Sequence, residues 1–288
     1  GRCDGGDRIV SDEREITAHY GDGGLLARLN DALRADGADP ARPTPEALAP
    51  YDQFHGRGLE ATEEVAGMMR AGPGDHLLDV GSGIGGPARW FAGRFGCRVT
   101  GIDLTPEFVE VARHLTRLVG LDERVRFETG NALAMPFPDA SFDGATSMNV
   151  SMNIADKSAL YREIDRVLKP GGWLVLSEIA QGEGGAPDYP TPWARTAGAS
   201  FLATPDETRH GLVAAGFEVV RLESAVERNL AFGARSRAIV ERGGKPPHRA
   251  VMLIHGEIAR QAIANTSRAL ADGRIVPIEV LAHKRAQR

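Results

Sequence analysis

Residues 75–103 read DHLLDVGSGIGGPARWFAGRFGCRVTGID, and this stretch decides the fold. His76–Val80 is a short apolar run of the kind that a buried parallel strand presents. It is followed by the glycine-rich loop 81–86, by a helical pattern of apolar residues that ends at Gly96, and by a second apolar run that ends in Asp103. The order of strand, glycine loop, helix, strand and acid predicts a nucleotide-binding α/β unit.

The acids at the two ends of this unit indicate which nucleotide it binds. Gly81, Gly83 and Gly86 satisfy the pattern G-x-G-x-x-G, which alone would also fit a dinucleotide. Asp79 puts a carboxylate where a pyrophosphate gains nothing, but where the cationic end of S-adenosylmethionine would be stabilised. Asp103 can accept both ribose hydroxyls, because an ionised carboxylate only accepts hydrogen bonds. The residues favour S-adenosylmethionine over a nicotinamide cofactor, and a plain glycine turn remains the alternative without function.

Several further segments follow in the order of a known family. Leu77–Gly85 resembles the first motif of class I S-adenosylmethionine-dependent methyltransferases, and the downstream matches are Val99–Asp103, Gly130–Ala132, Phe137–Asp143 and Arg166–Gly172. The resemblance is closest to the small-molecule branch that includes ubiquinone/menaquinone C-methyltransferases, sarcosine/dimethylglycine N-methyltransferases and sugar O-methyltransferases. It implies an α/β fold, a Rossmann-like seven-stranded sheet with helices on both faces, and N-terminal and C-terminal helical additions that form a lid.

Composition limits the class of protein. The chain is 42% hydrophobic and 25% charged, as is ordinary for a soluble globular protein, and its net charge of −5 argues against a nucleic-acid-binding surface. No apolar run approaches the ~20 residues of a membrane-spanning helix. Because no signal peptide is evident and only two cysteines occur, Cys3 and Cys97, we expect a cytoplasmic protein without a metal site. A small-molecule substrate is the expected partner, and a homodimer is left open.

The pattern divides the chain into four parts: an N-terminal extension and lid (1–56), a cofactor-binding core (57–224), a helical insertion (225–273), and the last core strand with the C-terminus (274–288). The first ten residues are predicted to be mobile. Leu25–Leu33 predicts a short amphipathic helix, and the four prolines of Ala38–Pro50 predict an irregular connector. In the insertion, one apolar stripe is predicted from Val251, Ile254, Ile258 and Ala262.

Ligands of open α/β sheets bind beyond the carboxyl ends of the strands. The candidate cofactor-binding residues are therefore Asp79, Gly81, Ser82, Gly83, Asp103, Leu104, Asn131, Ala132, Met148 and Tyr51. Asn131 stands where many family members have an aspartate that accepts a hydrogen bond from the adenine amino group. Its amide carbonyl can still accept, although without the strength that a charge adds. Tyr51 precedes the first core helix, in a segment that lies over the cofactor in the family.

The catalytic candidates are Glu178, Asn149 and His55. Related sugar O-methyltransferases carry two histidines after the fourth strand and an acid at the end of the fifth. Here Met152 and Asn153 occupy the histidine positions, and Glu178 occupies that of the acid. Glu178 could act as a base, hold an amine cation, or bond the backbone at a strand end, and His55 could equally be a helix-entry residue. The missing imidazole base favours an amine of the sarcosine/dimethylglycine type over a simple alcohol.

Three residues are candidates for substrate binding, namely Asn153, Tyr189 and Trp193. Residues 181–203 lack helical periodicity and predict a lid or substrate loop. The two aromatic residues could form a cation–π cage around an amine, or could pack the loop onto the core. Three functions are left open: a small-molecule methyltransferase (its variant a quinone-type or lipid-type C-methyltransferase), a nicotinamide-dependent oxidoreductase, and a non-catalytic cofactor-binding module.

Overall fold

The computed structural model describes residues 23–285, so the mobility predicted for the first ten residues, like Cys3, lies outside the described chain. The strands are β1 (His76–Val80), β2 (Arg98–Asp103), β3 (Val125–Thr129), β4 (Phe142–Met148), β5 (Leu168–Gln181), β6 (Phe217–Ser224) and β7 (Ile275–Lys284). The helices are α1 (Leu25–Ala35), α2 (Pro45–Asp52), α3 (Leu59–Met68), α4 (Gly86–Phe95), α5 (Pro106–Leu118), α6 (Lys157–Val167), α7 (Pro205–Ala214), α8 (Val226–Glu241), α9 (Ala250–His255) and α10 (Ala259–Ala271).

All seven strands form one mixed sheet with the order β3-β2-β1-β4-β5-β7-β6. Strands β1 to β5 pair in parallel, whereas β7 runs antiparallel to both β5 and β6. Because β2 and β4 lie on opposite sides of β1, the chain reverses its direction of winding there, and a crevice opens at the carboxyl end of β1. The predicted seven-stranded α/β fold is confirmed.

Both faces of the sheet are covered, as the alternation along β1 shows. Leu78 packs with Leu160 of α6 on one face. Leu77 packs with Phe91 of α4 on the other. A strand that is buried on both faces is apolar at nearly every position, and this explains the adjacent apolar residues Leu77, Leu78 and Val80 of β1, among which Asp79 is the exception.

The N-terminal extension is docked on α5. The leucines of α1 pack against Phe108 and Leu115 in one apolar cluster. The carboxylate of Glu107, in the first turn of α5, accepts hydrogen bonds from the backbone N–H groups of Gly23 at 3.0 Å and Leu25 at 2.8 Å. The predicted first helix is therefore present, and an acid from the core satisfies donors at its N-terminus.

The connector prediction for Ala38–Pro50 was wrong in its second half, where α2 begins at Pro45. Thr44 is the N-cap of this helix, and its hydroxyl accepts from Ala47 N at 3.2 Å. Proline at the first helical position costs no hydrogen bond, so the feature that suggested irregular chain is instead a start signal. Pro50 lies in the last turn of the same helix.

The apolar stripe predicted for the insertion was also wrong in register. Gly256 adopts a φ of +53° and ends α9, so the chain does not continue as one helix. Of the four predicted residues, Ala262 is buried and Val251, Ile254 and Ile258 are half-buried; the other buried residues of 250–271 are Ala250, Leu253, Ala259, Asn265 and Ala269. None of the helices within residues 23–285 has the length and apolar character needed to cross a membrane.

A capping box begins α7 and can be tested directly. Thr204 Oγ1 accepts from Glu207 N at 3.1 Å, and Glu207 Oε2 accepts from Thr204 N at 2.8 Å. Thr204→Ala is expected to lower the free energy of unfolding by about 1 kcal/mol, because it leaves a helix N–H without its acceptor. Urea denaturation measures the loss. Thr204→Ser keeps the hydroxyl and should stay close to wild type, and an equal loss in both variants would contradict the prediction.

Candidate active site

The glycine loop between β1 and α4 is closed over by neighbouring segments. Gly81 adopts a φ of +70°, and a Cβ atom placed there would lie 2.3 Å from Val150 Cγ2. A Cβ atom on Gly86 would lie 2.2 Å from the carbonyl oxygen of Asp52. Both distances are far below van der Waals contact, so only glycine allows the loop after β4 and the segment after α2 to come this close.

Asp79, on β1, is the most unusual group beside this loop. It is 2% exposed, and its Oδ1 accepts from Thr146 Oγ1 at 3.1 Å, while its Oδ2 has no donor among the described residues. Ser82 Oγ is likewise buried without a partner there. Burial raises the pKa of Asp79 to about 7, and the neighbouring charge of Asp103 adds to this. A buried carboxylate oxygen without a donor fits a ligand that brings one.

Asp103, the last residue of β2, holds the glycine loop on the side of β2. Its Oδ2 accepts from Gly83 N at 2.8 Å and its Oδ1 from Thr105 N at 2.9 Å. Burial raises the pKa of Asp103 above its ordinary value in spite of these bonds. Each carboxylate oxygen has more than one acceptor site, so hydroxyl groups could still bind here. Leu104 follows directly and is half-buried.

The remaining candidate cofactor residues at strand ends lie where the topology requires. Asn131 follows β3, and its Oδ1 accepts from Leu133 N at 2.8 Å, which is an Asx turn. Ala132 beside it packs, half-buried, on the core. Met148 ends β4 and is buried against the apolar cluster under α3 and α4. The end of β3 lies beside that of β2, since Gly130 N donates to the carbonyl oxygen of Asp103 at 2.9 Å, whereas β4 lies on the other side of β1.

The structure places Tyr51 and His55 within networks of the extension. The Tyr51 hydroxyl donates to Asp36 Oδ2 at 2.8 Å, and the Arg249 guanidinium lies 4.6 Å from the ring centroid. The two ring nitrogens of His55 lie 3.1 Å from the carbonyl oxygen of Gly56 and 3.0 Å from Thr62 Oγ1. Burial lowers the pKa of His55 to about 4, so the ring is neutral at physiological pH.

Glu178, on β5, is held by the loop that follows β4. It is 3% exposed, and its carboxylate accepts from the backbone N–H groups of Val150 and Ser151, each at 3.2 Å, and from Ser147 Oγ at 3.3 Å. Burial raises its pKa to about 7, against the effect of these bonds and of Lys157. Of the roles that the sequence left open, this geometry matches the acid that bonds the backbone, although Glu178 lies within β5, which continues to Gln181, and not at its end.

Asn149, which follows β4, joins three segments at the carboxyl ends of the parallel strands. Its φ is +57°, a left-handed conformation that asparagine tolerates better than most residues. With its amide oriented to satisfy both neighbours, its nitrogen donates to the carbonyl oxygen of Ser177 at 3.1 Å and its oxygen accepts from Gly56 N at 3.2 Å. It thereby ties the end of β4 to β5 and to the segment before α3.

The predicted substrate residues pack the loop between β5 and α7 onto the core. Asn153 Nδ2 donates to the carbonyl oxygen of Trp193 at 2.6 Å, and the indole N–H of Trp193 donates to Ser200 Oγ at 2.9 Å. Trp193 is buried in an apolar cluster with Met152, and Tyr189 packs half-buried against it. This arrangement matches the packing alternative for the two aromatic residues.

Sequence reasoning missed Lys157, the first residue of α6. Its Nζ donates to the carbonyl oxygens of Ser151 at 2.7 Å, Ile154 at 2.9 Å and Phe201. All three ammonium protons therefore hold loop carbonyls, and burial lowers the pKa of Lys157 to about 8. A lysine at the start of a helix reads in sequence as a solvated charge, so no local signal could have found this role.

A small pocket lies at the same edge of the sheet, between the extension and α8. It is lined by Gly56, Arg57, Ala61, Asn149, Ser177, Glu178, Ile179, Ala225, Asn229 and Pro277. Arg57 and Asn229 were not predicted. The Arg57 guanidinium is paired with Glu64 and, at 3.1 Å, with Glu279, so it forms a neutralised wall of the pocket. Among the described residues, no cluster of three or more His, Cys, Asp or Glu side chains could hold a metal ion.

Comparisons with known proteins agree with this geometry. A family described as "Methyltransferase domain" matches residues 78–176, which span β1 to β5. The O-methyltransferase cnsE of Penicillium expansum is 30% identical over 224 residues, covering 68% of this chain and 80% of that protein. The chain belongs to the class I S-adenosylmethionine-dependent methyltransferases. This membership removes the nicotinamide oxidoreductase from the alternatives.

Relatives within the methyltransferase family differ in length and in name. The 24-methylenesterol C-methyltransferase 2 of rice (Oryza sativa subsp. japonica) is 47% identical over 116 residues, 40% of this chain and 32% of that protein. The match thus spans about a third of that relative's length. A geranyl diphosphate methyltransferase solved in complex with GPP and sinefungin superposes with a TM-score of 0.70 at 19% identity, covering 95% of this chain and 99% of the other, which shows that the fold is shared.

The buried state of Glu178 predicts a pH-dependent stability. Its pKa is raised on folding, so the folded state keeps its proton to a higher pH than the unfolded state does. Its contribution to stability is therefore full below the unfolded pKa of about 4.5 and is lost as the pH rises through about 7. We expect wild type to lose stability relative to Glu178→Gln between about pH 5 and pH 8.

Urea denaturation of both proteins at the two pH values measures this change. The exposed Glu183→Gln, in the loop that follows β5, is the matched control and should show no such change relative to wild type. A difference between wild type and Glu178→Gln that is the same at both pH values would contradict the prediction.

Proposed function

We propose that this protein is an S-adenosylmethionine-dependent methyltransferase that acts on a small molecule. The observation that carries the proposal is the buried Oδ2 of Asp79, which has no donor among the described residues and lies beside a glycine loop without room for side chains. Membership of the methyltransferase family supports it. A plain glycine turn needs no buried acid at this place, whereas a ligand with an ammonium group does.

The side chains around the loop suit the parts of this cofactor. The Asp79 carboxylate would pair with its ammonium group, and the loop Gly81–Gly83 would let the backbone approach it closely. The Asp103 carboxylate would accept the ribose hydroxyls. Of the remaining candidates, Leu104, Asn131 and Ala132 would surround the adenine, Ser82 belongs to the loop itself, and Met148 ends β4 on the opposite side of β1. Tyr51 is instead bonded to Asp36. When bound, S-adenosylmethionine supplies an electrophilic methyl group on a sulfonium and leaves as S-adenosylhomocysteine.

The protein's contribution to methyl transfer would be alignment and the exclusion of water, because a sulfonium is already a good leaving group. Asn149 and Lys157 support this role, since each fixes a loop at the carboxyl ends of β4 and β5. Glu178 holds the same loop through two backbone N–H groups. These residues would shape the site while remaining bonded to the main chain.

We propose an uncharged amine as the acceptor. At the two positions where related sugar O-methyltransferases have histidines, Met152 offers a buried thioether and Asn153 an amide that is bonded to Trp193. The Glu178 carboxylate is engaged with the backbone, and the ring nitrogens of the buried His55 face Thr62 Oγ1 and the carbonyl oxygen of Gly56. The lone pair of a free-base amine attacks without a base in the site, whereas an alcohol needs one. An amine of the sarcosine or dimethylglycine type meets this requirement only as its free base, so its ammonium proton must pass to solvent before the amine binds.

The binding of S-adenosylhomocysteine tests the cofactor assignment. Asp79, with a pKa of about 7, must lose its proton before it can pair with the ligand's ammonium group. Affinity should therefore increase from about pH 6 to pH 8, with release of a proton on binding. Isothermal titration calorimetry in buffers of different ionisation enthalpy measures both quantities.

Two variants sharpen this measurement. Asp79→Asn should bind more weakly and without the pH dependence, and Asp103→Ala should not bind measurably at either pH. An unchanged affinity in Asp103→Ala would remove that residue from the site. If wild type itself does not bind S-adenosylhomocysteine, the proposed function is wrong.

The pocket beside β5 is the proposed acceptor site; without a ligand it has room for about one water molecule, so it must open to admit an amine. A Cβ atom on Gly56, in the wall of this pocket, would lie 3.9 Å from the side chains of both Asn149 and Asn229, so a larger side chain would occupy the space between the two amides. Gly56→Val should fill that space and reduce kcat/KM for the amine by about tenfold or more, through loss of acceptor contacts. The affinity for S-adenosylhomocysteine should stay within about twofold, as the cofactor loop is untouched.

The matched control is Gly67→Ala on α3, where a Cβ atom meets nothing within 4 Å. It should leave turnover unchanged. Formation of S-adenosylhomocysteine is followed with sarcosine and dimethylglycine as acceptors. Equal turnover by Gly56→Val and wild type would exclude the pocket as the acceptor site, and turnover of neither amine would exclude this acceptor class.

A further inference from the structure

Arg89 on α4 is a buried cation that contacts the glycine loop and the N-terminal extension at once. Its side chain is 6% exposed, and its Nη2 donates to Asp52 Oδ2 at 2.9 Å. Its Nη1 donates to the carbonyl oxygen of Ile84 within the loop at 2.8 Å, and to Thr116 Oγ1 on α5 at 3.2 Å. One guanidinium thus fixes the loop, the extension and the neighbouring helix.

From Asp52 a chain of buried polar contacts continues to the wall of the pocket. Gln53 Nε2 donates to Asp52 Oδ1 at 2.8 Å, and Gln53 Oε1 lies 2.6 Å from the hydroxyl of Thr62. That hydroxyl lies 3.0 Å from Nε2 of His55, whose Nδ1 lies 3.1 Å from the carbonyl oxygen of Gly56. Every side chain in this chain is buried.

The extension also touches the loop directly. The carbonyl oxygen of Asp52 approaches Gly86 closely, and the Phe54 ring lies 3.1 Å from where a Cβ atom of Gly83 would be. The residues between α2 and α3 therefore lie on the glycine loop on one side and reach the pocket on the other. Both contacts are too close for the glycine loop and the segment between α2 and α3 to shift independently, because a close-packed interior has little free volume.

A buried ion pair is an inefficient source of stability, because removing both charges from water costs about as much as their attraction returns. The Asp52–Arg89 pair is buried. Arg89 also donates to the glycine loop, and Asp52 also accepts from Gln53 of the extension. The pair instead fixes geometry. The planar guanidinium of Arg89 can donate to the Ile84 carbonyl and to the Asp52 carboxylate at once only when these two acceptors keep one relative arrangement.

We propose that Arg89 is a positioning residue that sets the glycine loop and the pocket wall as one unit. Through Ile84 it fixes the loop that would bind the cofactor. Through Asp52, Gln53 and Thr62 it fixes the ring of His55, the residue before Gly56 in the pocket wall. The identity of the ligands at the two sites rests on the proposed function. The link between the glycine loop and the pocket wall is argued from the contacts alone.

Hydrogen exchange measured by mass spectrometry on the unliganded protein tests the link. Asp52→Asn should speed exchange by about tenfold or more both in peptides that cover 81–86 and in peptides that cover 53–58. Thr62→Val keeps the volume and cuts the chain after Gln53, so it should speed exchange in 53–58 only. Thr116→Val removes another acceptor of Arg89 and is the control that should leave 53–58 as in wild type.

The affinity for S-adenosylhomocysteine is the second readout, since a merely structural loss of stability would not change it in the folded protein. Asp52→Asn should weaken binding by about tenfold or more, and Thr62→Val and Thr116→Val by less than about twofold. Arg89→Lys keeps the charge without the fork and should resemble Asp52→Asn. If Asp52→Asn does not fold, the paired variant Asp52→Asn/Arg89→Gln removes both charges and takes its place.

The outcomes separate the two proposals. Exchange in 53–58 that is unchanged by both Asp52→Asn and Thr62→Val, or exchange in 81–86 that is unchanged by Asp52→Asn, would overturn the link. If exchange in the variants changes as expected but the wild-type protein does not bind S-adenosylhomocysteine, the link is supported and the cofactor assignment is wrong. Coupled exchange with normal affinity in Asp52→Asn would overturn the positioning role of Arg89.

Discussion

The close approach of other segments to the glycine loop is the constraint on which the rest of this structure depends. Val150 and the main chain of Asp52 occupy the space where Cβ atoms of Gly81 and Gly86 would be. The loop after β4 and the end of α2 are thereby brought to the carboxyl end of β1. Asn149, which neighbours Val150, is then in reach of the segment before α3, and a pocket forms where these parts meet.

Two acids at this edge show why burial alone does not identify a functional group. Asp79 and Glu178 are both almost fully buried, and burial raises the pKa of each to about 7. They differ in their hydrogen bonds, since Glu178 receives two backbone N–H groups and a hydroxyl, whereas one oxygen of Asp79 receives none among the described residues. The acid whose bonding is incomplete is the better candidate for a ligand contact, and the satisfied acid is the better candidate for support.

Sequence could predict the fold because the deciding signals are local. The apolar run of β1, the glycines and Asp103 lie within one stretch, and the parallel topology follows from such units. The roles of Lys157 and Arg89 could not be predicted in this way, because the carbonyls that Lys157 binds and the carboxylate of Asp52 are set by tertiary structure. The start of α2 was missed for a different reason, since the proline at position 45 can either begin a helix or belong to irregular chain.

The difference between local signals and contacts set by tertiary structure also explains why the cofactor could be inferred from sequence more readily than the acceptor. Apart from Tyr51, the cofactor candidates lie at the ends of β1 to β4 or in the loops that follow these strands, within the part of the chain that matches the family. The pocket instead brings Gly56 of the extension to Asn229 of α8, and both lie outside that matched part. The relatives that match this chain include proteins named as a sterol C-methyltransferase and as an O-methyltransferase. Under the proposed function, the acceptor would be selected by the two segments that contribute Gly56 and Asn229, because the matched core alone does not distinguish these relatives.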